Sequence, residues 1–247
     1  MTWRIPPHRV LVPMDFGDAS ARALTVGGAI AHAFSAELVA LHAETLEAPP
    51  YFTHEQMDAL EAERQRARAA AVDYLRKYVA ARTPHPVSPR FVEEPPAEAI
   101  LRAGALVDLV VMGTHGRRGP SRWWLGSVAE RVVGASETPV MIVRAAHESG
   151  HPSAVFAEVL TLVHGGAAVT AARAWAEALA SAFGGVVRDG GSTETCPRDA
   201  VNGASLVAVA VSAETDHVTG RRAASLLRNC DRPVLFVPAR RADGGHP

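Results

Sequence analysis

The stretch Gly113-Thr-His-Gly116-Arg-Arg-Gly-Pro-Ser-Arg-Trp-Trp-Leu-Gly126-Ser127 is where residue types and spacing in this 247-residue chain point to chemistry. Glycine lets backbone approach a ligand closely and turn its N–H groups inward. A helix beginning near Ser127 would add unpaired N–H groups and a positive dipole end. Ser127 offers a hydroxyl, and Arg117, Arg118 and Arg122 offer positive charge. Together these residues have the chemistry of a phosphate cradle. The spacing is Gly, two residues, Gly, nine residues, Gly-Ser. It lacks the Gly-Lys-Ser/Thr of a Walker A loop and the compact glycine fingerprint of a dinucleotide fold.

Other candidates are weaker alone. Asp15 follows the first apolar run, where it could be a turn carboxylate or a ligand contact. His42 reads as a strand-end packing residue, because no second metal-type residue accompanies it. His115 and the loop arginines read either as ligand groups or as solvated loop residues.

The elements that must position these groups follow from hydrophobic periodicity. Arg9–Asp15, Glu37–Ala43, Arg90–Glu93, Leu109–Met112 and Pro139–Val143 are short apolar runs and read as strands. Between them lie helical patterns. One runs from a cap at Asp18 or Ser20 to Phe34, with Leu24, Ala31 and Phe34 inward. Another runs from Glu55 to Ala81, with Leu60, Ala67, Ala71, Tyr74, Leu75 and Tyr78 as its apolar stripe. Pro95 and Pro96 suit the entry to a third, and the fourth runs from Ser127 to Gly134. Strands apolar on both faces and alternating with helices predict a doubly wound, parallel, five-stranded α/β sheet. The polar stretch Ala145–Ser153 reads as a linker, giving domains at 1–146 and 154–240.

The second part repeats the first. At one constant offset Val159, Leu160, Gly166 and Ala168 fall on Val10, Leu11, Gly17 and Ala19, and Ala180, Ala182 and Phe183 fall on Ala31, Ala33 and Phe34. At a smaller offset Gly220 falls on Gly126, and Pro233-Val-Leu-Phe-Val on Pro139-Val-Met-Ile-Val. The copy is therefore shortened, and it has no counterpart of the long helix. His164 stands at the position of Asp15, and the loop after Val209 lacks the first two glycines and carries Glu214 and Asp216. Acidic residues there would repel phosphate. The reading is a truncated repeat of the same fold whose site is lost.

Composition narrows the class. The chain is 48% hydrophobic and 21% charged with a formal net charge of -1, so no basic field points to nucleic acid. Met1–Pro7 has no apolar stretch of signal length, and no segment reaches membrane-span length, so the expected location is cytoplasmic. Cys196 and Cys230 suit neither a disulfide scaffold nor a zinc site.

The loop resembles the G-2x-G-9x-G-S/T signature of the ATP-binding branch of the universal stress protein family. Val12-Pro13-Met14-Asp15, Leu41-His42-Ala43 and Gly126-Ser127-Val128-Ala129-Glu130-Arg131-Val132-Val133 resemble it too. The resemblance covers about residues 8–144 and, weakly, 157–238. It implies a Rossmann-like fold of the adenine nucleotide alpha hydrolase type, with ATP and Mg2+ as cofactors. By this resemblance Asp15 would contact ribose or the metal-phosphate region, with Pro13 and Met14 beside the base. Ala43 would line the adenine pocket, while Met112 and Gly113 would border the nucleoside. His115, Gly116 and Arg117 would face phosphates, and Gly126, Ser127 and Val128 would bind them. Glu94-Pro-Pro96 departs from the family's Gly-x-Pro, and Trp123-Trp124 replaces its usual aliphatics. The function implied is a nucleotide-dependent stress-response or signalling module, not an enzyme. A slow ATPase and a nucleotide-free scaffold are the alternatives. The expected partner is an adenine nucleotide, with no nucleic acid or membrane. The chain would be a monomer with an internal pseudo-dimer, or a homodimer. The shortened copy is expected to pack edge to edge on the first through both closing strands.

Overall fold

Apolar runs become strands here because helices cover both sides of them. The computed structural model describes residues 3–45, 54–114, 126–144, 151–162, 168–191, 198–211 and 230–238. Its first half contains β1 (Arg9–Pro13), α1 (Asp18–Phe34), β2 (Glu37–Ala43), α2 (His54–Ala80) and β3 (Val87–Val92). It continues with α3 (Pro96–Gly104), β4 (Leu109–Gly113), α4 (Ser127–Ala135) and β5 (Val140–Val143). The second half contains β6 (Glu158–Leu162), α5 (Ala168–Phe183), β7 (Val186–Asp189), α6 (Arg198–Gly203), β8 (Leu206–Val211) and β9 (Val234–Pro238).

The strands form one nine-stranded sheet in the order β3-β2-β1-β4-β5-β9-β8-β6-β7. The first five strands pair in parallel, as the doubly wound pattern requires. β6, β7, β8 and β9 also pair in parallel. The two expected closing strands meet each other antiparallel, with Val140 opposite Phe236 and Ile142 opposite Val234. The order β9-β8-β6-β7 thus mirrors β5-β4-β1-β2 across this seam.

Alternate strand residues feed two cores. Val10, Val12, Leu38, Leu109, Val111 and Met141 pack with α1 and the end of α2 on one face. The same cluster continues across the seam through Trp175 and Leu179 of α5. Leu11, Val39, Val110 and Ile142 face the other way, toward Ile100 of α3 and Val132 of α4. That second cluster runs on through Val207, Val234, Phe236 and Val201 of α6.

Several expectations need correction. The N-cap of α1 is Gly17, with no side-chain cap hydrogen bond, rather than Asp18 or Ser20. β3 starts at Val87, ahead of the predicted Arg90; as an edge strand it tolerates Pro89. In α2 the expected stripe is only partly buried. Leu75 is buried, whereas Ala67 and Tyr74 are exposed. Part of the expected linker is ordered, since Pro152–Phe156 forms a 3-10 helix that buries Val155 and Phe156. Among the described residues no counterpart of α2 covers β7, a short, largely exposed strand whose sequence is half polar and whose Val186 is 56% exposed.

Candidate functional site

After β1 the chain enters α1 on one face of the sheet, and α4, which follows β4, packs on the other. β1 and β4 are neighbours, so a crevice opens between them at their C-terminal ends, as in other open α/β sheets. A cavity of about 430 Å³ lies there, within the range of small-ligand pockets.

One wall is the segment after β1. Pro13, Met14 and Asp15 line the cavity together with Ser20 of α1. The turn is fixed by short hydrogen bonds: the Gly17 N–H donates to Asp15 Oδ1 at 2.9 Å, and Ser20 Oγ donates to the Gly17 carbonyl at 3.0 Å. Beside it, the Met14 N–H donates to the Leu41 carbonyl at 2.8 Å. Leu41 and Ala43, on the same face of β2, line the cavity, and Pro96 and Ile100 of α3 close that side.

The opposite wall is β4 and α4. Met112, Gly113 and Thr114 line it, followed by Gly126, Ser127, Val128 and Ala129. The Thr114 N–H donates to the Val143 carbonyl at 3.2 Å, and the Gly126 N–H to the Thr114 carbonyl at 2.7 Å. The second bond pins the two ends of the glycine loop together, and the first holds Thr114 to the end of β5. Gly126 is the N-cap of α4 and makes no side-chain cap hydrogen bond. The first turn of that helix therefore presents its N–H groups and dipole toward the cavity without an internal side-chain acceptor at its cap.

Gly113 has a packing duty that its sequence context did not announce. A Cβ there would lie 2.7 Å from the carbonyl carbon and the Cβ of Ala19 and 2.9 Å from the Ser20 nitrogen. The missing side chain thus allows the start of α1 to sit against the end of β4, which sets the width of the crevice.

The cavity gathers Pro13, Met14, Asp15, Ala43, Met112 and Gly113, and, across from them, Gly126, Ser127 and Val128. His115, Gly116 and Arg117 lie outside the described residues, as do Arg118, Arg122, Trp123 and Trp124. Sequence reasoning missed Ser20, Leu41, Pro96, Ile100, Thr114 and Ala129. One of these had a signal: Leu41 shares a strand face with Ala43. The matching positions of the second half, His164 and the loop carrying Glu214 and Asp216, also lie outside the described residues.

Among the described lining residues Asp15 carries the one charge. Arg144, just after β5, is 6% exposed. Burial pulls its guanidinium below the usual range, partly offset by the Asp231 carboxylate. Burial pushes Cys230 up, so the neutral thiol is favoured there. No described helix is long and apolar enough to cross a membrane.

The sequence model of the universal stress protein family matches residues 7–144. The universal stress protein of the QAH/OAS sulfhydrylase 3' region of Thermus aquaticus is 34% identical over 142 residues, which are 55% of this chain and 97% of that protein. A universal stress protein of Mycobacterium tuberculosis is 33% identical over 144 residues, 56% of this chain but 46% of that relative's length. Among solved structures, a universal stress protein from Archaeoglobus fulgidus superposes with a TM-score of 0.65 at 16% identity, over 94% of this chain and 96% of that one. That last likeness concerns fold alone, and it extends through both halves of the sheet.

Proposed function

Since this chain belongs to the universal stress protein family, we propose that it binds one ATP, with Mg2+, in the crevice between β1 and β4. It would use the nucleotide as a stress-response or signalling switch rather than as a substrate to be turned over. The observation that carries this reading is the cavity of about 430 Å³, which unites every described residue of the predicted set. Its two ends differ chemically. Leu41, Ala43, Pro96, Ile100 and Met112 make an apolar slot suited to a planar base. Thr114, Ser127 and the uncapped first turn of α4 make a donor-rich end suited to phosphates. Asp15, between them, suits a ribose hydroxyl or the metal. Bound Mg2+ would neutralise phosphate charge; this chain's residues would orient and enclose the ligand.

The non-catalytic reading rests on how Asp15 is used. Its Oδ1 accepts the Gly17 N–H, a structural task, and phosphoryl transfer needs further groups to position water and stabilise the moving phosphoryl. We divide the chain into a nucleotide-binding domain, 1–146, and a structural domain, 154–240, with the seam standing in for a dimer contact.

The test is direct. Purified protein is denatured and its supernatant run on an anion-exchange column, and the refolded or nucleotide-stripped chain is titrated with ATP in a calorimeter. One site per chain is expected. Two equivalent sites would refute the single-site reading, and steady release of ADP from added ATP would overturn the non-catalytic one.

A further inference from the structure

His42 stands between two cavity residues yet is not part of the lining. Leu41 and Ala43 face the cavity from β2, and alternation sends the side chain between them to the other face of the sheet. There His42 Nδ1 lies 2.7 Å from the Met14 carbonyl oxygen. A carbonyl only accepts, so Nδ1 carries the proton and donates it. The Met14 N–H is already committed to the Leu41 carbonyl at 2.8 Å. Met14 is therefore gripped by β2 at both of its backbone polar groups, once through backbone and once through the imidazole. β1 ends at Pro13, so the grip falls one residue past the last rung of the sheet, just before Asp15, whose own N–H donates to Ser20 Oγ at a longer 3.4 Å.

The ring of His42 has a second task. Phe16 has φ 63°, in the left-handed region, which a bulky L residue seldom enters without a reason in its surroundings. Its ring sits 4.7 Å from the His42 ring, 4.9 Å from Tyr74 and 5.2 Å from Tyr78, the last two edge-on. His42 is backed in turn by Phe91 at 5.7 Å. The aromatic nest draws Phe16 inward and reverses the chain, which lets the Asp15 carboxylate fold over the Gly17 N–H.

We infer that His42 is a positioning residue for the nucleoside end of the site: it sets Met14 and Asp15 through the Met14 carbonyl and the Phe16 ring, without touching the ligand. The inference rests on the nucleotide reading for its affinity arm, and on geometry alone for its other arm.

Two variants of the full chain separate donor from ring. H42N hangs an N–H donor from Cγ as the imidazole does. H42F keeps a ring between Phe16 and Phe91 but has no donor. Each is titrated with ATP and with adenosine, and amide hydrogen exchange is read at Gly17 in the ligand-free protein. H42F is expected to weaken ATP and adenosine by the same factor, about tenfold, the order expected when a buried carbonyl loses its partner. It should also speed Gly17 exchange, while H42N stays near wild type in both. H42F matching wild type in affinity and exchange overturns the inference. So does H42N falling as far as H42F, which would remove the donor as the agent, or H42F weakening ATP much more than adenosine, which would mark a general loosening that reaches the phosphate end. If wild type binds neither ligand while H42F still frees the Gly17 amide, the nucleotide reading fails and the positioning of Asp15 by His42 stands.

Discussion

At Gly113 one hydrogen atom decides how close a helix can come to a strand. The Cβ of an alanine would sit 2.7 Å from Ala19 and 2.9 Å from the Ser20 nitrogen. Those neighbours are mostly helix backbone, which cannot step aside as a flexible side chain would. Gly113→Ala should push the first turn of α1 away from β4 and lower stability by about 1–3 kcal/mol, the usual penalty for overpacking. The same shift would move Ser20 and the Asp15 turn, so ATP affinity should fall with it. Gly134 is the control: it lies in α4, and a Cβ there meets nothing within 4 Å. Gly134→Ala should be neutral or stabilise the chain by up to about 1 kcal/mol through helix propensity. Urea denaturation reads both variants, and equal midpoints for the two would remove the packing role of Gly113. In the sequence Gly113 looked like a ligand-contact glycine because it opens the loop. Its contact with Ala19 is a tertiary fact that no local spacing encodes. His42 is the reverse case: it was correctly read as a packing residue at a strand end, but the carbonyl it grips is on a different strand's extension.

The strands were legible because two-sided burial leaves an unbroken apolar run, and the boundaries of β2 agree with the run Glu37–Ala43. Helices were legible by period but not by reach. α2 has 27 residues and is about 40 Å long at 1.5 Å per residue. The six residues of β3 span roughly 20 Å. Much of α2 therefore has no sheet beneath it, and an apolar stripe in the sequence cannot say which turns do. That is why Leu75 is buried and Ala67 is not. α6 escaped notice because a six-residue helix carries too few turns to show a period. Asp108 escaped too, although it ties elements together. It is 8% exposed, and its carboxylate accepts the N–H groups of Arg4, His8 and Arg9 at 2.7, 2.8 and 3.0 Å. These bonds bind the segment leading into β1 to the start of β4, the pair of strands that frames the site. Asp108→Ala would strip three backbone donors of their acceptor at once. A loss of about 3 kcal/mol is expected, in line with hydrogen bonds to a charged group, with a smaller loss for Asp108→Asn, which keeps one oxygen. A thermal melt in which Asp108→Ala matches wild type would show that water replaces the carboxylate without penalty.

Across the whole molecule the seam makes two half-sheets into one. β5 and β9 would each be an open edge, and each instead completes the other's ladder. The cores on both faces run through this junction. Met141 and Leu235 share one cluster, and Ile142 and Phe236 share the other. Above the seam, Trp3 from the start of the chain meets Trp175 of α5 with ring centroids 6.3 Å apart, and its indole N–H donates to the Glu137 carbonyl at 3.1 Å. Val155 and Phe156 belong to the same buried cluster, and the Phe156 ring stacks on Phe183 at 4.3 Å. The second half therefore owes part of its core to the first. Helix α5 covers one side of β7, but among the described residues there is no counterpart of α2, and β9 would be left with one bare edge. Residues 154–247 expressed alone would expose the seam faces of Val234, Leu235 and Phe236 and would lose the Trp3 contact, at roughly 25 cal/mol for each Å² of apolar surface returned to water. A domain this small has a narrow margin to absorb such a loss. The fragment should aggregate or stay molten, without a cooperative melt by circular dichroism, whereas the full chain melts cooperatively. A soluble monomer of the fragment that unfolds in a single sharp transition would show that the second half stands alone, and that the seam joins two finished domains rather than completing one.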